Sequence, residues 1–110
     1  MLKIHTLNDR IGAHRENAGH ATEVPPNSRL LFCNGQVGCK QDGTVPDDVG
    51  EQVTVAFDRI QAILSAADMG FKDVVKVSVY FTDAKHLDHF YAQRKTYFGD
   101  HNPPAVLLCV

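Results

Sequence analysis

"DVVKVSVYFTD", residues 73–83, decides the fold class. Val75, Val77, Val79 and Phe81 recur with period two and share one face of an extended chain; Val74, Lys76, Ser78 and Tyr80 share the other. The pattern predicts a strand over Asp73 to Thr82, one face of which needs a cover. Both flanks offer one. Upstream, Val53, Phe57, Ile60, Leu64 and Ala67 stand at helical spacing and form an apolar stripe. Asp47 or Asp48 can cap that helix, and Asp48 with Glu51 makes an Asp-x-x-Glu variant of the capping box. Gly70 is expected to end it by accepting positive φ. Downstream, Thr82 or Asp83 caps a second helix, with Leu87, Phe90, Tyr91, Arg94, Tyr97 and Phe98 on one side. Asn102-Pro103-Pro104 breaks it, and Ala105 to Val110 is a last strand.

The N-terminal half reads as strands and turns. Leu2 to Thr6 is a short first strand, Asn8 to Gly19 a polar loop, and Ala21 to Val24 a second strand. Pro25-Pro26-Asn27-Ser28 turns the chain. Arg29 to Asn34 is then the returning strand of a hairpin, and Gly35 to Pro46 a loop. The sum is hairpin, helix, strand, helix, strand. That is an α+β plan, one domain over residues 1–110, with two helices on one face of a mixed sheet.

Two helices cover one sheet face. Leu30 to Cys33 and Ala105 to Val110 are apolar on both faces, so the other face needs a partner. A homo-oligomer with inward-facing sheets is expected, and such an assembly places clefts between subunits, where small ligands bind.

Composition narrows the function classes. The 110 residues carry 11 Lys and Arg against 13 Asp and Glu, for a formal net charge of −2. The basic residues are scattered, so the footprint that nucleic-acid binding requires is missing. No apolar run approaches the ~20 residues of a membrane span, and Met1 to His5 does not begin a signal peptide. The expected compartment is the cytoplasm. Cys33, Cys39 and Cys109 match no zinc spacing. Cys33 and Cys109 are expected as reduced core thiols; Cys39, in a polar loop, is the more reactive by position.

The ordered set Gly35-Gln36, Gly43-x-Val45-Pro46, a helix with Gln52 and "AIL", "DVVKVSVYFTD", a helix ending in Tyr97-Phe98, and Pro104-Ala105 resembles the reactive-intermediate deaminase (Rid, or YjgF) family over about residues 20 to 110. The resemblance implies a chorismate-mutase-like α+β fold and a homotrimer with three small-molecule clefts between subunits. It implies hydrolysis of imines or enamines to carbonyl compounds and ammonia, without metal or organic cofactor. Asn34, Gly35 and Gln36 would line the cleft, with His20, Tyr91, Pro104, Ala105 and Val106 along the wall.

The sequence departs from the family where the chemistry is densest. Val106 stands where the family carries an Arg that clamps the substrate carboxylate. The family's final strand, with its Glu, is not found within residues 1–110; a shortened chain is the expectation, and a variant with an open edge beside Ala105 to Val110 is the alternative. Losing the Arg removes a charge-assisted contact of ~1.5–3 kcal/mol, which argues against the standard 2-imino acid pose. A non-catalytic trimeric metabolite-binding or regulatory module is the alternative. The family label of endoribonuclease or translation inhibitor fits poorly with an acidic chain that has no basic stripe.

Other polar residues have ordinary readings. His86 and His89, with Asp83 and Asp88, could face one way as metal ligands, but helix-dipole acids and a solvated face explain them without a third ligand. His14, Arg15, Glu16 and His20 sit in a polar loop, and His20 is the one expected to reach the cleft as an acid or base. Arg94 is expected to lay its stem on apolar surface, though it could also stand in for the missing clamp.

Overall fold

The computed structural model describes residues 1–11 and 19–110. Its elements are β1 (Lys3–His5), α1 (Asn8–Ile11), β2 (Ala21–Glu23), α2 (Val49–Ala66), β3 (Val77–Phe81), α3 (Leu87–Phe98) and β4 (Ala105–Cys109), with 3₁₀ turns at Phe71–Asp73 and Ala84–His86. His14, Arg15 and Glu16 lie outside the described residues.

The expected α+β class stands, with α2 and α3 over one face of β3 and β4. Phe57, Leu64, Phe71, Phe90 and Phe98 form the buried core, and Val77, Val79 and Leu107 pack against it from the sheet. Phe57 is the hub. Its ring stacks on Tyr97 at 4.9 Å and on Phe90 at 6.0 Å, and meets Phe71 and Phe98 edge-on at 6.0 Å. Offset and edge-to-face pairs of this kind add ~0.5–1.5 kcal/mol each beyond area burial.

Local chemistry sets the helix ends. The carboxylate of Asp48 accepts the Glu51 N–H at 2.9 Å, as expected of the cap. Glu51 does not complete the box but pairs with Lys40 at 3.1 Å. The C-terminus of α2 corrects the expectation for Gly70. Asp68 takes the left-handed conformation (φ 56°), while Gly70 is extended. Met69 N–H donates to Leu64 O and Asp68 N–H to Ser65 O, the paired bonds of a Schellman ending. Met69 then packs against the core beside Leu64.

The strands form two pairs rather than one continuous sheet. β1 and β2 are antiparallel, with Ile4 opposite Thr22; β3 and β4 are parallel, with Val77 opposite Ala105 and Phe81 opposite Cys109. Thr22 Oγ1 donates to Val75 O at 2.8 Å, Gly19 N–H to Asn102 O at 3.0 Å, and His101 Nε2 meets Val74 O at 2.8 Å. These bonds join the pairs.

The hairpin expected between Ala21–Val24 and Arg29–Asn34 is not formed. Ala21 pairs with His5 instead, and residues 24–46 hold no strand. Leu30, Leu31 and Phe32 are exposed, Phe32 at 90%. A strand apolar on both faces needs two covers and a hydrogen-bonding edge, and the single chain supplies neither here. Cys33 and Cys109 are likewise exposed rather than core, and Cys39 is the more sheltered thiol. Among the described residues, no helix is long and apolar enough to cross a membrane.

Candidate functional site

The expected site residues fall into two groups in the chain. The first is the bend Asn34–Gly38. Here α2 acts as a seat. Arg59 Nε donates to Gln36 Oε1 at 2.9 Å, and Arg59 Nη1 donates to Cys39 O at 2.9 Å. Gln36 Nε2 turns back to Asn34 O at 3.3 Å. The Gln36 side chain is therefore engaged within the chain, and Asn34, Gly35 and Val37 are the exposed part of the bend. A Cβ on Gly38 would lie 2.6 Å from Gln52 Cα and O, so only glycine lets the loop touch the helix backbone there.

Further ties fix the loop after the bend. Gln52 Nε2 donates to Pro46 O at 2.7 Å. Thr44 closes a turn on Asp42, donating both its N–H (3.0 Å) and its hydroxyl (2.7 Å) to Oδ1. The Thr44 hydroxyl bond, above all, holds the Asp42 carboxyl below its usual pKa. At the upstream end, Arg29 Nη2 donates to Ala67 O at 2.9 Å, a cation on the C-terminus of α2.

The second group gathers where α3 hands over to β4. Pro104 O accepts the Val77 N–H at 3.0 Å, and Ala105 and Val106 stand opposite Val77 and Ser78. Val106 is 37% exposed, on the sheet face away from the helices, with Tyr80 and Leu108. His20 lies nearby through its neighbour Gly19, whose N–H reaches Asn102 O. Its own N–H donates to His5 O at 2.8 Å, and its Nδ1 accepts the Leu7 N–H at 2.9 Å. That bond makes Nδ1 an acceptor and leaves Nε2 as the protonated nitrogen. Tyr91, on α3, is half-buried with its ring 5.5 Å from that of Phe90.

Arg94 is almost fully buried. Its Nη2 donates to Pro103 O at 2.8 Å, its Nε has no hydrogen-bond partner among the described residues, and the guanidinium lies 5.7 Å above the Phe98 ring. Burial lowers its pKa, and Tyr91 acts weakly the other way. The residue ties α3 to the Pro103 turn rather than holding its head in water. His86 lies in the 3₁₀ turn, capped by Asp83 through the Lys85 N–H, whereas the His89 ring sits against Gly50 at the start of α2. Among the described residues no group of three or more His, Cys, Asp or Glu is placed to hold a metal ion. A hollow of about 410 Å³ lined by Met1, Leu2, Ile4, Lys72, Asp73 and His101 contains none of the expected site residues.

Sequence reasoning missed Arg59 and Arg29. The signal was present for the first: Gln52 and Arg59 stand seven residues apart, on one face of α2 and beside its apolar stripe.

This frame is that of a known class. The family described as endoribonuclease L-PSP matches residues 16–110, and the chain belongs to it. The family includes the Rid/YjgF proteins. The RutC family protein YjgH of Escherichia coli K12 is 44% identical over 76 residues, covering 68% of this chain and 58% of that protein. The 2-iminobutanoate/2-iminopropanoate deaminase of the same strain is 30% identical over 74 residues, covering 66% of this chain and 58% of that enzyme. The chain thus matches less than two thirds of either relative's length. The crystal structure of E. coli TdcF with bound serine superposes with a TM-score of 0.65 at 28% identity, covering 70% of this chain and 64% of TdcF.

Proposed function

We propose that the chain is the protomer of a Rid-type trimer that binds a small imine or enamine between subunits and hydrolyses it to a carbonyl compound and ammonia. The observation that carries this reading is the division of the site into two groups. The Asn34–Gly38 bend is seated on α2, and the Pro104–Val106 wall opens onto the sheet face that carries Tyr80, Leu108 and Val110, exposed at 65%, 46% and 73%. Association through that face buries apolar side chains that the protomer leaves in water. It also brings the bend of one subunit toward the wall of the next.

The chemistry asks little of the chain. An enamine tautomerises to its imine, water adds across C=N, and the carbinolamine releases ammonia. The protein holds the substrate, orients the water and excludes competing solvent. With Val106 in the wall, no guanidinium meets a substrate carboxylate at that position. The reading therefore favours imines whose recognition is apolar or hydrogen-bonded over the 2-imino acids named for the E. coli deaminase. No metal or organic cofactor enters the scheme.

A non-catalytic metabolite-binding module is favoured by one observation: the wall Pro104-Ala105-Val106 carries no ionisable side chain. A serine-bound relative shows that a family member takes up a small amino acid. The two readings part in one assay. Purified protein is mixed with 2-iminopropanoate, 2-iminobutanoate and a neutral ketimine, each generated in situ, and carbonyl release is followed. Release of carbonyl from the neutral ketimine well above buffer supports the hydrolase. Rates equal to buffer on all three, with serine binding retained by calorimetry, support the binding module. Sedimentation velocity tests the assembly, and a monomer at micromolar concentration overturns it.

A further inference from the structure

We propose that Arg59 is the positioning residue of the Gly-Gln bend, holding residues 34–39 against α2 in the arrangement that presents the Asn34 and Gly35 backbone to a ligand. The proposal rests on the reading of that bend as one wall of the cleft.

The geometry is specific. Two separate nitrogens of the planar guanidinium, Nε and Nη1, serve two acceptors three residues apart, Gln36 Oε1 and Cys39 O, each at 2.9 Å. The planar fork spans the bend and closes it over Gly38, which rests on the Gln52 backbone. Gln36 relays the grip, since its amide donates to Asn34 O. Both acceptors are neutral. Among the described residues the Lys and Arg ion pairs are Lys40–Glu51 and Lys85–Asp83, and neither involves Arg59. The bend is therefore held by the fixed geometry of one planar group. A lysine has the charge without the fork.

The other ties to α2 do not reach the bend. Lys40–Glu51 is an exposed pair, the kind that contributes little to stability. The Gln52 bond holds Pro46, at the far end of the loop. Removing Arg59 frees residues 34–39 while leaving the aromatic core untouched, because Arg59 is exposed and outside that core.

Two amides report the bend without any substrate: Cys39 N–H, bonded to Val37 O, and Lys40 N–H, bonded to Thr44 O, each at 2.8 Å. Hydrogen exchange at these amides is compared in the full chain, Arg59→Ala and Arg59→Lys, alongside steady-state hydrolysis of in-situ 2-iminobutanoate and of the neutral ketimine. In Arg59→Ala, exchange at Cys39 is expected to speed up about tenfold, a loss of ~1.4 kcal/mol in local protection. KM is expected to rise about tenfold with kcat within twofold, the signature of lost ground-state positioning. The melting temperature stays within a few degrees. Arg59→Lys is expected to match Arg59→Ala in exchange, because a flexible ammonium lacks the rigid planar donors that fix both acceptors at once.

Unchanged exchange in Arg59→Ala overturns the proposal, as does full recovery of both exchange and KM in Arg59→Lys. If the unmodified protein hydrolyses neither imine, the functional reading fails, and the exchange comparison still decides whether Arg59 holds the bend.

Discussion

Two stretches of similar apolar character meet opposite fates. In β3, Val77 and Val79 lie half-buried against a cluster of five aromatic and aliphatic side chains. In the stretch Leu30-Leu31-Phe32-Cys33, every residue is exposed and no strand forms. The difference lies in the neighbours rather than in the residues. β3 is flanked in sequence by two amphipathic helices and finds β4 as its hydrogen-bonding partner. The 30–33 stretch is flanked by a proline turn and a polar loop, and the strand before it pairs elsewhere. One region is stabilised by burial, and the other is held by side-chain ties to α2. Burial removes many contacts from water at once, whereas each polar tie contributes ~0.5–1.5 kcal/mol net.

The sharpest test of that contrast lies at the hub of the core. Phe57→Ala removes a ring that touches four other aromatics and is expected to cost ~3–5 kcal/mol. Urea denaturation should show a large drop in midpoint. A cost below about 1 kcal/mol would mean that the helices and β3–β4 are not the stabilising unit.

Gly38→Ala tests the loop side. The added methyl meets backbone of Gln52, which cannot swing away as a side-chain end could, so the bend must lift from α2. The expected cost is ~1–3 kcal/mol, with amide shifts between Asn34 and Lys40 and little change in the core methyl spectrum. Shifts that spread through Phe57 and Phe90 would instead couple the two regions.

Tyr97→Phe probes a polar tie inside the helical layer. The Tyr97 hydroxyl donates to Asp58 Oδ1 at 2.5 Å across α2 and α3. Its loss is expected to cost ~1 kcal/mol. The bond to Asp58, then desolvation, raise the Tyr97 pKa from 10.0 to about 12. The folded state therefore keeps this proton where the unfolded chain loses it. The contribution is complete below pH 10 and falls away as pH rises from about 10 to about 12. Denaturation series at pH 9 and pH 11.5 should show that decline in the wild type and a shallower one in Tyr97→Phe.

The smallest effect is expected at Arg94→Met. The substitution loses the bond to Pro103 O and the contact with Phe98, and it removes a buried guanidinium whose Nε is unpartnered among the described residues. These terms oppose each other, and the net change is expected within about 1 kcal/mol in either direction. A loss of several kcal/mol would show that the guanidinium meets an anionic partner.

Much of this molecule is legible along the chain. The Asp48 cap, the Phe57–Leu64 stripe, the two-residue alternation of β3 and the Pro103-Pro104 break each depend on residues within a few positions of one another. Local geometry and side-chain preference favour such features without reference to distant contacts. Gly35-Gln36 and Pro104-Ala105 were legible as pieces of the ordered set that resembles the family. Local pattern failed where the outcome depends on what arrives from elsewhere. Gly70 had the right residue type to end α2, yet Asp68 took the positive φ because Met69 could then fold back beside Leu64. Arg29–Asn34 had a strand's composition but no edge to join.

The amino-acid sequence by itself determined the helices, the central strand and the family to which the chain belongs, because periodicity, capping and motif order are properties of neighbours in the chain. Only the tertiary structure decided that Gln36 turns inward to Arg59, that Val106 faces away from the helices, and that the apolar 30–33 stretch stays open. Each of these depends on which surface lies within hydrogen-bonding or van der Waals reach after folding, and residues 20 or more positions apart in sequence carry no local sign of that meeting.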